Sequence, residues 1–205
     1  MRNYTVVGLT GQSGAGKTTA SKFFELNGFA VINCDIIAHN VTSNGSDCCK
    51  TLKKLFPQCF NNGLTLDRQA LAKIVFNDHE KLKQLNETIF PYITADINNA
   101  VSGFVQSGEK YILLDAPTLF EAGADKLCDC IVSCVAKKEV RAKRIALRDN
   151  IDIDLILSRF DSQKSEIFFK SHSDYTIENN GNINDIEKQC TEIIHNIKGR
   201  FDGKS

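Results

Sequence analysis

The chain has 205 residues, 42% of them hydrophobic, with 25 Lys+Arg set against 25 Asp+Glu for a formal net charge of zero. That length buries a full core without disulfide or metal staples, and the balanced charge excludes the broad positive field of a nucleic-acid binder. Any anion site must therefore be local: a loop, a helix end and a few placed arginines. Eight cysteines (34, 48, 49, 59, 128, 130, 134 and 190) are scattered without a C-x-x-C pair or histidines at zinc-site spacing. They read as small hydrophobes kept reduced, with a metal or redox role as the alternative. Met1-Arg2-Asn3 runs directly into a strand pattern, so no signal peptide is expected. The apolar runs fall short of a membrane span, which makes the cytoplasm the expected compartment and a membrane partner unexpected.

In chain order, Tyr4–Thr10 (YTVVGLT) is a β-branched apolar run that predicts a strand buried on both faces. Gly11–Thr18 is glycine-rich, and Lys17–Leu26 follows as an amphipathic helix ending before Asn27-Gly28. Ala30–Asn33 predicts a second strand. The stretch from Ile36 to Gly108 reads as almost wholly helical, with a break near Pro57–Gly63. Within it Asp67 is expected to cap a helix over Arg68–Phe76, since Leu71, Ile74 and Val75 share a face. Asp78 is expected to open a longer helix, interrupted near Pro91. Further strands are predicted at Tyr111–Asp115, Cys130–Val135 and Tyr175–Glu178, with Cys128, Cys130 and Cys134 along a buried strand. Helices are predicted at Lys137–Asp149, Asp152–Gln163 and near Ile183–Ile197.

Strands alternating with helices imply an α/β fold, with a parallel sheet covered on both sides and ligands at the carboxyl ends of its strands. No repeat or long linker divides the chain, so one domain is expected. Its core spans 1–35, 109–137 and 172–205, with a helical insert at 36–108 and a lid at 138–171. The insert is either a lobe for a second substrate or a cover for the sheet.

Gly11-Gln12-Ser13-Gly14-Ala15-Gly16-Lys17-Thr18 fits G-x-x-x-x-G-K-[ST], between a hydrophobic strand and a helix. Glycines let backbone N–H groups turn inward around phosphate oxygens, and the helix start adds its positive dipole end. Gly11, Ser13, Gly14, Ala15, Gly16, Lys17, Thr18 and Thr19 are the candidate ATP-binding residues. Lys17 is placed to reach the β- and γ-phosphates, and the Thr18 hydroxyl to ligate Mg²⁺. Asp35 directly follows the second strand, where a carboxylate orients an attacking hydroxyl or accepts its proton; capping the helix from Ile36 is the other reading. Asp115 ends a strand and is a candidate second Mg²⁺ ligand or acceptor contact, or a turn residue before Pro117. Arg141, Arg144 and Arg148 recur at helical spacing. Arg141 reads as solvated, whereas Arg144 and above all Arg148 are candidates to hold the triphosphate with paired donors.

With these residues in place, the chain resembles the dephospho-CoA kinases over nearly its whole length. The resemblance rests on VVGLTGQSGAGKTTASKFFELNGFAVINCDIIAHNV, GLTLDRQALAKIVFNDHEKLKQLNETIFPYI, LLDAPTLFEAG, RIALRDNIDIDLILSRFDSQ and DYTIENNGNINDIEKQ, in that order. It implies a P-loop NTPase-type three-layer sandwich that uses Mg-ATP to phosphorylate the ribose 3′-hydroxyl of dephospho-CoA. It also implies catalytic roles for Asp35, Lys17 and Arg148, and acceptor contacts from Asp35, Asp67, Arg68, Asp115, Leu119, Phe120 and Glu121. A monomer is expected, with a weak homo-oligomer as the alternative. Three departures stand out: Asn33 in place of the first aspartate of D-x-D, Phe90-Pro91 in place of His-Pro, and Gln163-Lys164-Ser165 keeping only the glutamine of Gln-Met-Pro. Two other readings stay open: a kinase for another small alcohol, and a nucleotide-dependent switch, although no clear switch segment is visible.

Overall fold

A computed structural model describes residues 2–62, 65–160 and 163–202. The chain opens with β1 (Thr5–Gly11), α1 (Lys17–Leu26), β2 (Ala30–Asn33), α2 (Cys34–Val41) and α3 (Asp47–Leu55). After a 3₁₀ turn at Pro57–Cys59 come β3 (Phe60–Asn61), β4 (Thr65–Leu66), α4 (Arg68–Val75) and α5 (His79–Gln106). The remainder is β5 (Tyr111–Asp115), β6 (Cys130–Val135), α6 (Lys138–Asp149), α7 (Ile153–Phe160), α8 (Glu166–Ser171), β7 (Tyr175–Glu178) and α9 (Ile183–Asp202). The chain divides into two compact units: Met1–Ile32 with Phe104–Ser205, and Asn33–Gly103.

The first unit is built on a sheet ordered β2-β5-β1-β6-β7. β1 lies parallel to β5, with Leu9 opposite Asp115, and parallel to β6, with Gly11 opposite Cys134. All seven residues of β1 are buried, because neighbours flank it on both edges and side chains cover both faces. Val7 and Leu9 join one core with Phe24 of α1, Leu113, Val132, Ile177, and Ile194 and Ile197 of α9. Each fully buried large side chain such as Phe24 or Ile197 contributes about 2 kcal/mol of hydrophobic stabilisation. Gly8 points to the opposite face, where a Cβ would strike Leu119 and Cys128. That face is filled by neighbouring side chains, and Gly8 is small because Leu119 occupies the space.

The second unit is helical, apart from the antiparallel pair Phe60–Leu66 and Asn61–Thr65. Its helices start on side-chain caps, as their sequences dictate. Ser46 accepts from the Cys49 N–H at 3.0 Å, and Asp67 from the Ala70 N–H at 2.9 Å. Asp78 Oδ1 accepts from the Glu80 and Lys81 N–H groups. Leu52, Phe56, Cys59, Leu71, Val75 and Ile97 are buried in this unit.

Three elements differ from the expectation. Pro91 does not interrupt α5, which continues through it for 28 residues. A helix-interior proline removes one hydrogen bond, but Ile93, Ile97 and Val101 are all buried beyond it, and that packing carries the helix on. The break near Pro57 contains β3, and residues 63–64 lie outside the described residues. The helix expected over Asp152–Gln163 is α7, Ile153–Phe160, with 161–162 likewise outside the described residues.

No cysteine forms a disulfide, and all but the half-buried Cys128 are buried. Burial disfavours the thiolate, pushing Cys48 up to about 11 and Cys130 and Cys190 up to about 12 from an ordinary 9.0. Cys134 is raised for the same reason. The folded chain holds these protons while the unfolded chain releases them above pH 9.0. The resulting stability is therefore whole below that pH and is lost as pH climbs through the folded values. Melting temperature measured from pH 8 to about 12 should fall progressively over this window. The fall should be shallower in a Cys130→Val/Cys190→Val variant, and an equal slope in both proteins would refute the thiol origin.

Candidate active site

The glycine-rich loop leaves β1 at the centre of the sheet and is pinned at its start, where the Gln12 N–H donates to the Cys134 carbonyl at 3.1 Å. It closes on itself through the Ala15 N–H and the Gln12 carbonyl at 3.0 Å. Gly16 is the N-cap of α1 and has no side chain to satisfy the helix start. Thr19 and Ala20 bond back to the Gly16 carbonyl, which leaves the N–H groups of Gly16, Lys17 and Thr18 to face an anion. The Thr18 side chain is exposed, while Ala15 is fully buried.

Lys17 Nζ forms an ion pair with Asp115 Oδ1, the two side chains being 17% and 10% exposed. Asp115 at the end of β5 is thus bound to the loop lysine rather than serving only as a turn residue. The turn that follows is held separately: Thr10 Oγ1 donates to the Pro117 carbonyl at 3.2 Å, and the Ala116 N–H to the Leu9 carbonyl at 3.0 Å. Two charges this poorly hydrated stabilise one another only as a pair, since either alone would be left desolvated.

The arginines of α6 divide differently from the sequence reading. Arg141, expected to be solvated, is 5% exposed. Its Nε donates to the Ala136 carbonyl and its Nη1 to the Ser13 carbonyl at 3.2 Å, with the guanidinium stacked over Phe160 at 4.0 Å. Burial lowers its pKa. Arg144, a candidate for the triphosphate, donates to the Asn179 carbonyl at 2.9 Å and to Asn179 Oδ1 at 3.0 Å. Asn179, 4% exposed, passes its Nδ2 hydrogen to the Ala15 carbonyl at 2.7 Å. Arg148 is exposed and bound through Nε and Nη2 to Asp149, a contact that holds its pKa up. Gln12 also went unnoticed in the sequence. It is 7% exposed, its Oε1 has no hydrogen-bond partner among the described residues, and it lines a cleft of about 370 Å³ with Ala136, Arg141, Phe160 and Lys164.

Of the candidate acceptor residues after β5, Leu119 is fully buried under Gly8 and presents no surface to a ligand. Phe120 is half-buried and meets Phe168 edge-on at 5.2 Å, within a cluster that includes Phe169 and His172 of the segment around α8. Glu121 lies 3.9 Å from Lys164.

In the second unit, Asn33 is the N-cap of α2, its Oδ1 accepting from the Ile36 N–H at 3.1 Å. Asp35 is therefore not the cap. It sits exposed in the first turn, and among the described residues no hydrogen bond or ion pair takes its carboxylate. Asp67 spends an oxygen on the cap of α4, and Arg68 Nη2 donates to the His39 carbonyl at 3.1 Å. Phe90 lines a groove of about 320 Å³ with Leu82 and Asn86.

Comparison with known proteins places this arrangement. The family model described as dephospho-CoA kinase matches residues 5–185. The chain is 33% identical over 192 residues to the dephospho-CoA kinase of Fusobacterium nucleatum, covering 94% of this chain and 98% of the relative. Among solved structures, a Thermus thermophilus protein superposes with a TM-score of 0.82 at 27% identity, covering 95% of this chain and 98% of the other. Dephospho-CoA kinase from Campylobacter jejuni superposes with a TM-score of 0.70 at 26% identity, covering 98% and 100% respectively.

The Lys17–Asp115 pair can be weighed by a double-mutant cycle in urea unfolding. Lys17→Met or Asp115→Leu alone should each cost about 3 kcal/mol by stranding a desolvated charge, and the double variant should recover most of that loss. Additive losses would mean that the two side chains do not act as a pair.

Proposed function

The chain belongs to the dephospho-CoA kinase family, and from that premise we propose how its residues divide the work. The reaction is the ATP-dependent phosphorylation of the ribose 3′-hydroxyl of dephospho-CoA, which gives coenzyme A and ADP and completes coenzyme A synthesis. The core (1–35, 109–137, 172–205) holds ATP, the helical insert (36–108) takes the acceptor, and 138–171 acts as a lid.

In the loop, Gly11, Ser13, Gly14, Ala15, Gly16, Lys17, Thr18 and Thr19 hold the ATP phosphates. The N–H groups left over at the start of α1 support this reading. Lys17 neutralises charge on the β- and γ-oxygens as the phosphoryl group moves. Asp35 carries the acceptor chemistry. The observation behind that assignment is that Asn33 does the capping and leaves the neighbouring carboxylate unused. An aspartate is a weak base at neutral pH, so Asp35 orients the 3′-hydroxyl and takes its proton late in the transfer. The Asn33 departure is compatible with this role, because asparagine caps a helix as well as aspartate does. Arg148 leaves Asp149 for the triphosphate when the lid closes, and closure limits loss of the phosphoryl group to water.

Mg²⁺ fits the donor set. The Thr18 hydroxyl and the Asp115 carboxylate are hard oxygen ligands, and no cluster of three His, Cys, Asp or Glu exists among the described residues to form an all-protein cage. When bound, the ion supplies charge neutralisation at the phosphates. Asp67, Arg68, Phe120 and Glu121 contribute to acceptor binding from their present structural contacts. No helix among the described residues is long and apolar enough to cross a membrane. In this reading the chain acts as a monomer. Eight cysteines without a disulfide support the cytoplasm as its compartment.

ADP release should require dephospho-CoA and be absent with adenosine, AMP or no acceptor. Equal release without an acceptor would remove the kinase assignment. Asp35→Asn should lower turnover by about 10²- to 10⁴-fold while ATP affinity stays within about twofold, and unchanged turnover would refute its role. A chelator should abolish turnover, and Thr18→Val should raise the Mg²⁺ needed for half-maximal rate by about tenfold. An unshifted Mg²⁺ requirement would take Thr18 out of the metal site.

A further inference from the structure

Two carbonyls of the glycine-rich loop are held by side chains from outside the loop. A trans peptide is planar, with its C=O and N–H pointing in opposite directions. The Ser13 carbonyl, which accepts from Arg141 Nη1 at 3.2 Å, shares its peptide with the Gly14 N–H. The Ala15 carbonyl, which accepts from Asn179 Nδ2 at 2.7 Å, shares its peptide with the Gly16 N–H. Neither the Gly14 nor the Gly16 N–H has a protein partner among the described residues. We propose that Arg141 and the Asn179–Arg144 pair are positioning residues for the phosphoryl transfer, holding these two peptides so that the Gly14 and Gly16 N–H groups face the ATP phosphates.

The geometry supports a purpose-built clamp. Gly16 has φ 96°, and a Cβ there would collide with the Asn179 amide, so the glycine admits both the left-handed turn and the close approach of the clamp. Asn179 is itself fixed: its backbone N–H donates to the Val135 carbonyl at 2.9 Å, and Arg144 grips both its carbonyl and its Oδ1. The grip on Oδ1 fixes the amide orientation, so Nδ2 must face Ala15. Arg141 is fixed by Ala136 and by the Phe160 ring.

Charge travels the same route. Arg144 polarises the Asn179 amide, the amide polarises the Ala15–Gly16 peptide, and the Gly16 N–H becomes a stronger donor; hydrogen bonds in series reinforce one another in this way. Arg141 acts on the Ser13–Gly14 peptide directly. Two guanidinium charges thereby strengthen the phosphate site without touching phosphate, and both arginines come from one face of α6.

The inference rests on the reading that this loop holds the ATP phosphates, and the experiment keeps the two apart. Arg141→Gln and Asn179→Leu are assayed for melting temperature and for the KM of each substrate, with Lys17→Ala as the control. A tenfold change corresponds to one charge-assisted hydrogen bond. The KM for ATP should accordingly rise about tenfold in each variant, while the KM for dephospho-CoA stays within about twofold. If Asn179→Leu does not fold, Asn179→Asp replaces it: its carboxylate still receives Arg144 but has no hydrogen for Ala15. A merely structural role would lower the melting temperature and leave the KM values alone. A folded variant with wild-type KM for ATP would overturn the clamp. Full turnover in Lys17→Ala would overturn the phosphate-loop reading itself.

Discussion

β1 has no solvent-facing side, and the chemistry of this protein depends on that constraint. With β5 on one edge, β6 on the other and packed side chains over both faces, the strand can end in only one direction. The loop that leaves it is bonded at its first residue to Cys134 of β6. Asp115, the last residue of β5, is delivered to Lys17 from the opposite edge. The position of the phosphate loop is therefore a property of the sheet. Phe24 and Ile197, packed in one core with Val7 and Leu9, help keep the strand from shifting.

A chain of zero net charge still concentrates positive potential where it is needed, and the means is burial. Arg141 is held in poorly hydrated surroundings, where a charge is felt over a longer distance than on the surface. The exposed ion pairs, such as Lys50 with Asp47, lie in water and have little reach. Counting charges therefore rules out a broad electrostatic surface but says nothing of this local field.

The five strands of the large sheet were legible because β-branched runs bounded by turns carry their own signal, and the phosphate loop because its spacing leaves few alternatives. The short pair β3 and β4, two residues each, and α8, six residues, are too brief to show a period. Pro91 signals a break in the sequence, but this local rule gives way to packing farther along α5. The arginines show the limit most clearly. Their spacing on α6 is visible in the sequence, yet Arg141 meets Ser13 across 128 residues and Arg144 meets Asn179 across 35. Nothing in the helix itself distinguishes those partners from water. Asn33 was read as a missing carboxylate when its position first requires a cap, and either amide or carboxylate meets that need.

The pairing of Lys17 with Asp115 also bears on how nucleotide arrives. An unpaired lysine in that loop would carry a tightly held water shell, and an incoming phosphate would have to strip it. In the proposed reading of the loop, the Asp115 carboxylate already pairs with the ammonium that would meet a phosphate oxygen. Nucleotide entry would then be an ion exchange, with one oxyanion traded for another on the same cation. Observed affinity would then report the difference between two salts of the same lysine rather than the strength of either.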